Sequence, residues 1–337
     1  MTGELALLNT IRSRAAGIAG GSSGYSRVRL GIGDDCALLR PKAGEEVAVT
    51  TDLSIEGRHF RLNWHSPESV GHRTLARGLS DLAAMGARPV AAFLSLGLPR
   101  ELTVAENGRA WVERFLDGLL ALAQEHRVPL AGGDLAESPL ALADIVLTGV
   151  APRGEALLRS GARPGDRIYV TGSLGGAAAE LAALAADPNL YRDRKSGDGA
   201  APHLFPQPRV KQGMWLRKRR LATAAMDLSD GLSTDLAHLC EESRVTAEVD
   251  AAALPLGAEA TLEMALHGGE DYELLFTAGK DVRVPKEIGG VRVTEIGRIR
   301  ARRAGRPSVG LRTASGLEPL AAHGWEHFSG DAPPAKN

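Results

Sequence analysis

Aromatic residues are scarce. Phe, Trp and Tyr together make up 4% of the sequence, so Ala, Leu and Val must fill most of any core. Cysteine is scarcer still: Cys36 and Cys240 lie far apart and form no CxxC pair. This argues against a disulfide framework or a structural zinc site and makes a reducing cytoplasm the simplest setting. No run reaches the roughly 20 apolar residues that span a bilayer, and the opening residues lack a signal-peptide layout. Neither sign of charge prevails, with 40 Lys and Arg against 41 Asp and Glu. That balance argues against a broad nucleic-acid footprint and gives no reason to expect a membrane surface. The common nucleotide signatures are missing too. There is no GxxxxGK[ST], no GxGxxG opening a helix after a strand, and HisArgThr at 72–74 is not a protein-kinase catalytic loop.

What is present is an ordinary globular composition, 44% hydrophobic over 337 residues, long enough for two domains. Apolar spacing predicts helices over 4–16, 68–85 and 104–126, and strands at 28–32, 46–51, 89–98, 128–132 and 144–150. The stretch 153–166 reads as a crossing between domains. Beyond it strands are expected at 167–171, 223–227, 245–250, 271–277 and 291–297. Helices are expected at 174–186, 208–221, 231–242 and 257–266. This alternation suggests an α/β second domain. The boundaries expected are 1–152, 153–328 and a disordered tail from 329 to 337. Residues 187–207, rich in Pro, Gly, Asp and Arg, suit no element and read as either disordered or a working lid.

The informative feature is where the aspartates fall. Asp52, Asp81, Asp134 and Asp230 each stand beside Gly, Ser or Thr, and Asp35 and Asp227 within two residues of one, where an apolar segment meets a loop. One such pairing is ordinary turn or cap chemistry. Six of them supply hard oxygen ligands with space for waters and phosphates, which is what Mg²⁺ prefers. Joining two phosphates needs such ions, because the reactants repel each other and charge develops during transfer. A phosphate acceptor is already ionised, its second pKa being about 6, so no acid or base residue is expected to act in catalysis. Gly172 to Gly176, between a strand and a helix, suits either a phosphate loop or a plain turn.

Taken together, GlyIleGlyAspAspCysAlaLeuLeu (31–39), ThrThrAspLeuSerIleGluGlyArgHisPhe (50–60), LeuSerAspLeuAlaAlaMetGlyAla (79–87), GlyGlyAsp (132–134), LeuArgSerGlyAlaArgProGlyAsp (158–166), AspLeuSerAspGlyLeu (227–232) and GlyGlyGluAspTyrGluLeu (268–274) resemble thiamine-monophosphate kinase. The motifs stand in that family's order across nearly the whole chain. The resemblance implies a fold related to aminoimidazole ribonucleotide synthetase. That fold has an N-terminal α+β domain that pairs in a homodimer, then an α/β C-terminal domain. It implies ATP as co-substrate, several Mg²⁺ ions and direct transfer without a phosphoenzyme. By motif, Asp35, Thr50, Thr51, Asp52, Asp81, Asp134, Asp227 and Asp230 are implied for metal, and Gly133, Asp134, Arg159 and Ser229 for ATP. His59, Glu270 and Trp325 are implied for thiamine phosphate, a tryptophan face suiting the cationic thiazolium.

Two other readings stand beside this one. A sister synthetase would make another product, but selenophosphate synthesis needs a catalytic Cys near a glycine-rich loop, whereas Cys36 follows two aspartates and reads as packing. A hydrogenase-maturation relative would end in a reactive cysteine, and this sequence ends in Asn337. A non-catalytic sensor would need fewer metal-type aspartates.

Overall fold

The computed structural model describes residues 4–19, 27–32, 36–104, 110–191, 194–197, 200–302 and 307–325. The chain divides into two compact units: residues 1–82, 87–154 and 184–205 form one, and 83–86, 155–183 and 206–337 the other. The second stretch of the first unit therefore ends near the domain boundary expected from sequence. Residues 184–205, assigned to the second domain on sequence, cluster with the first.

The first unit is built from α1 (Glu4–Ala19), β1 (Val28–Leu30), β2 (Leu38–Leu39), β3 (Glu45–Ile55), α2 (Pro67–Ala84), β4 (Arg88–Leu98), α3 (Trp111–His126), β5 (Leu130–Glu137) and β6 (Leu142–Pro152). Four strands form one sheet in the order β3-β6-β4-β5, antiparallel except for the parallel β4–β5 edge. Helix α2 opens on Pro67 with Glu68 in its first turn, which suits the missing amide partner and the positive helix end. Helix α3 carries Val112, Phe115, Leu116, Leu119 and Leu122 on one buried face. Each such side chain contributes about 2 kcal/mol on burial. The two helices cross at glycines. A Cβ on Gly71 would meet Phe115 O at 1.9 Å, and one on Gly118 would meet Glu68 O at 1.8 Å, so neither position admits a side chain. The outer face of β3 stays open, leaving Val47, Val49 and Leu53 exposed.

The stretch 187–207 contains no helix or strand among its described residues, yet it is anchored. Ala201, Leu204 and Phe205 pack with Leu184 against Trp64 and Tyr191. His203 meets His65, ring nitrogen to ring nitrogen, at 2.9 Å, and its carbonyl accepts from Arg73.

The second unit contains β7 (Arg167–Thr171), α4 (Gly176–Ala186), α5 (Val210–Arg219), β8 (Ala224–Asp227), α6 (Leu232–Ser243), β9 (Val245–Asp250), α7 (Leu262–His267), β10 (Leu274–Ala278), β11 (Glu287–Ile288), β12 (Val291–Ala301), β13 (Val309–Thr313) and β14 (Gly316–Pro319). The expected alternation of helix and strand is there, in a second mixed α and β domain. Its sheet runs β14-β13-β9-β12-β7-β10-β8 with β11 on β12, and only β13–β9 is parallel. Chain order and sheet order differ because β10 inserts between β7 and β8, so the helices do not link neighbouring parallel strands. Leu232, Leu236, Leu239 and Cys240 of α6 pack on Ile168, Val170, Met226 and Leu275 of the sheet. Thr261 caps α7, its hydroxyl accepting Met264 N–H at 3.2 Å, which is why that helix starts later than its apolar pattern suggested. No helix among the described residues is long and apolar enough to cross a membrane.

Candidate active site

In the first unit the site grows from the seam between β3 and α2. Strand alternation sends Thr50 and Asp52 to the helix-covered face and Thr51 to the exposed outer one. Thr50 Oγ1 donates to Asp81 on α2, and Arg77, one helical turn earlier, donates to Asp52 Oδ1 at 3.1 Å. Burial pushes the Asp52 carboxyl up to about 6, with Asp81 and Asp144 adding repulsion that Arg77 only partly offsets. Asp144, on β6, carries no motif and escaped the sequence reading; it pairs with Leu53 on the outer face of the sheet, one position from the Asp52–Ile145 pair, and its charge reaches Asp52 from there. The structure thus joins Thr50, Asp52 and Asp81.

Asp134 is not brought to them. It lies exposed on β5, its Oδ1 accepting Leu135 N–H at 2.8 Å. The register runs from Asp134 through Ser95 and Asp144 to Leu53, three strand spacings or about 14 Å. Gly133 and Asp134 instead line a cavity of about 440 Å³ with Leu8, Ile11, Cys36 and Phe93. His59 follows β3 in a turn where Nδ1 accepts Ile55 N–H at 3.0 Å and the carbonyl accepts from Arg73 at 3.1 Å. Asp35 lies outside the described residues.

In the second unit the site is a pair of loops knitted by backbone. Asp227 ends β8, buried, and the chain continues through Leu228, Ser229 and Asp230 to Gly231 at the start of α6. The loop 268–273 lies alongside. Leu228 O accepts Tyr272 N–H at 2.9 Å, Ser229 O accepts Glu270 N–H at 2.8 Å, and Asp230 O accepts Trp325 N–H at 3.0 Å. Glu270 and Trp325 are therefore pinned to adjacent carbonyls of the aspartate loop. Glu270 takes a left-handed φ of 69° and Tyr272 one of 50°, strain of about 1 kcal/mol each that the pairing must hold.

Three residues beyond the motifs' obvious acids organise these loops. Asp235, in the first turn of α6, accepts from the amides of Ser229, Asp230 and Gly231 at 3.1 Å each. Burial and the charges of Asp227 and Asp230 push its carboxyl up to about 8, against the pull of those amides. Asp271 accepts from Gly175 and Ala177 N–H at 2.7 and 3.3 Å. Burial pushes that carboxyl up to about 7. Within 172–176 the amides of Gly172, Leu174 and Gly175 already donate, to Arg292 O, Pro255 O and Asp271, as in a strand-to-helix turn. Glu273 receives Arg209 Nε at 2.7 Å and Thr171 Oγ1 at 2.6 Å. A negative charge three to six residues after a loop aspartate was the available signal for Asp235.

Arg159 is exposed and is not brought to this loop pair. Its carbonyl accepts Ser243 Oγ at 2.8 Å, and Leu158 O accepts Ala225 N–H, so the backbone passes β8 on the way from Asp227. Among the described residues no three Asp, Glu, His or Cys groups lie close enough to hold an ion unaided. The donors present are nevertheless the right kind. Two carboxylates and a hydroxyl meet at the β3–α2 seam, buried enough to raise one carboxyl, and Mg²⁺ ordinarily completes its shell with water and phosphate oxygen.

Comparison with known proteins fits this geometry. The model for AIR synthase related protein, N-terminal domain, matches residues 33–151, and that for AIR synthase related protein, C-terminal domain, matches residues 163–310. Thiamine-monophosphate kinase of Escherichia coli (strain K12) is 42% identical over 287 residues, covering 81% of this chain and 85% of that protein. The crystal structure of thiamine-monophosphate kinase from Stenotrophomonas maltophilia K279a aligns with TM-score 0.76 at 38% identity, over 92% of this chain and 96% of that one. AaThiL complexed with AMPPCP and TMP aligns with TM-score 0.71 at 29% identity, over 97% of each chain. The chain belongs to the thiamine-monophosphate kinase family.

Proposed function

We propose that this protein transfers the γ-phosphoryl group of ATP to thiamine monophosphate, giving thiamine diphosphate and ADP, directly and in line with the help of several Mg²⁺ ions. The relatives' shared activity supports the overall reaction. AMPPCP, an ATP analogue, and TMP are the ligands of AaThiL. The observation that carries the residue roles is the hanging of Glu270 and Trp325 on the Ser229 and Asp230 carbonyls. It puts a carboxylate and a broad aromatic side chain next to one metal-type aspartate.

The ions would be held by Asp35, Asp52, Asp81 with Thr50, Asp134, Asp227 and Asp230; Thr51, turned to the other face of β3, is left out of that set. When bound they supply charge neutralisation between the two phosphates. The protein's own groups do the rest by binding and orientation. Gly133, Asp134, Ser229 and the Arg159 guanidinium hold ATP, the last by its planar fork of donors. Trp325 offers a π face to the thiazolium, Glu270 a counter-charge, and His59 a contact to the phosphate side. The acceptor phosphate, with a second pKa of about 6, attacks as the anion, so no residue has to remove a proton.

Residues 1–152 would serve ATP, metal and dimerisation, and 153–328 would complete the enzyme. A homodimer is supported by the open face of β3, where Val47, Val49 and Leu53 are 50%, 62% and 44% exposed; such a patch suits a twin sheet. Cys36 and Cys240, both free thiols, suit the cytoplasm.

The test is incubation of purified protein with ATP, Mg²⁺ and thiamine monophosphate, followed by chromatography of the thiamine phosphates. Thiamine diphosphate with equimolar ADP, and none from free thiamine, is expected. ADP without thiamine diphosphate would identify a sister enzyme with another acceptor. Binding without turnover would identify a sensor.

A further inference from the structure

The chain approaches Trp325 through three consecutive amides, and each is spoken for. His323 N–H reaches Ser233 Oγ at 3.4 Å, Gly324 N–H donates to Thr234 Oγ1 at 3.0 Å, and Trp325 N–H donates to Asp230 O at 3.0 Å. All three acceptors belong to the short run 230–234, the aspartate loop and the first turn of α6. The approach is so close that only glycine fits at 324. A Cβ there would lie 2.1 Å from Asp230 O and 2.6 Å from Thr234 Oγ1. Behind this contact, Ser233 is fully buried and its Oγ meets His267 Nδ1 at 2.8 Å. The His267 ring in turn stands edge-on to His323 at 5.6 Å between centroids. Burial pushes the pKa of His267 below its ordinary value. A neutral ring lets Nδ1 accept the Ser233 hydroxyl proton, leaving the serine oxygen free to accept from His323 N–H.

Trp325 itself is 46% exposed, so core packing alone does not fix it, and the backbone bonds of 323–325 help to hold it. We propose that Thr234, with Ser233 and His267 behind it, is a positioning residue that clamps the 323–325 segment on α6 and so holds the Trp325 face where the thiazolium binds. This rests on the reading of Trp325 as a thiamine-side residue. Thr234 carries the clamp because its hydroxyl oxygen accepts the middle amide, and the isosteric Thr234→Val removes that acceptor without opening a cavity.

Steady-state kinetics on wild type, Thr234→Val, Thr234→Ser, Trp325→Ala and the Thr234→Val/Trp325→Ala double variant decide it. Loss of one such hydrogen bond predicts a rise in the thiamine monophosphate KM of about three- to tenfold. The ATP KM and kcat should stay within about twofold, and Thr234→Ser should restore the wild-type KM. The double variant should be no worse than Trp325→Ala, because the clamp acts only through that ring. If Trp325→Ala raises the thiamine monophosphate KM but Thr234→Val does not, the clamp is wrong and the substrate reading stands. If Trp325→Ala leaves that KM unchanged, the substrate reading falls and the clamp with it. Equal changes in both KM values, or a KM rise that the serine variant does not reverse, would mark Thr234 as merely structural and overturn the proposal.

Discussion

The two units hold their aspartates by different means. In the first, side chains on rigid elements do it: Thr50 on β3 bonds Asp81 on α2, and Arg77 on α2 bonds Asp52 on β3. In the second, backbone does it. Asp235 gathers three amides, and the carbonyls of Leu228, Ser229 and Asp230 each receive an amide from elsewhere in the unit. The first arrangement presents carboxylates whose spacing follows from strand and helix geometry, suited to a fixed cluster of charge. The second brings residues from 40 to 95 positions apart in the chain onto one turn, suited to assembling unlike groups around a substrate.

Substitutions can break this contrast at either end. Asp81→Asn, which keeps shape and a hydrogen-bonding oxygen, should lower kcat by about 10²–10³ with little change in thermal midpoint; a near-normal rate at saturating Mg²⁺ would remove Asp81 from the metal set. Asp235→Ala should strike the fold instead. Three amides lose their acceptor, and the urea midpoint should fall by an amount equivalent to about 2 kcal/mol. An unchanged midpoint would mean that the loop holds itself. Trp325→Ala should raise the thiamine monophosphate KM about tenfold with kcat preserved, the size of a desolvated cation–π contact. A rise confined to the ATP KM would move the residue to the other substrate. Thiol labelling is the mildest probe. Cys36, which sequence suggested was a packing residue, is exposed and lines the cavity with Gly133 and Asp134, so alkylation should proceed in the native protein and slow when MgATP is added. Cys240, buried in the second core with its thiol pushed up to about 12, should react only after unfolding.

Most of the fold was readable because period and punctuation agreed. The strands at 167–171 and 245–250 fall where the apolar runs place them, and α3 follows its buried face. The sheet order of the second unit was not readable, since β10 inserts between β7 and β8 and no local pattern records that. Strand β13 and its hairpin partner β14 escaped because Val309–Thr313 mixes Gly and Arg among its apolar residues. At the candidate site, Thr50, Asp52 and Asp81 stand beside hydroxyl residues in the sequence, but the structure places them inside β3 and α2 and not where an apolar segment meets a loop. Thr51 shares the motif, but alternation turns it to the opposite face. Asp144 and Asp235 were not legible. Asp144 sits mid-strand without a motif, and Asp235 passes for an ordinary helix-start acid until its three amides are seen. The joining of Trp325 to Asp230 lay beyond sequence pattern altogether, because a backbone bond leaves only Gly324 as its trace.

If the metal-type aspartates hold Mg²⁺ as proposed, the reaction should require more Mg²⁺ than the nucleotide carries in. The direct measurement is the initial rate of thiamine diphosphate formation as free Mg²⁺ is varied with MgATP held constant and saturating. The account predicts a rate that keeps climbing with free Mg²⁺ well after ATP is fully complexed, with Asp81→Asn and Asp230→Asn each displacing or abolishing that climb. A rate that is flat once MgATP has formed, in wild type and both variants alike, would contradict it.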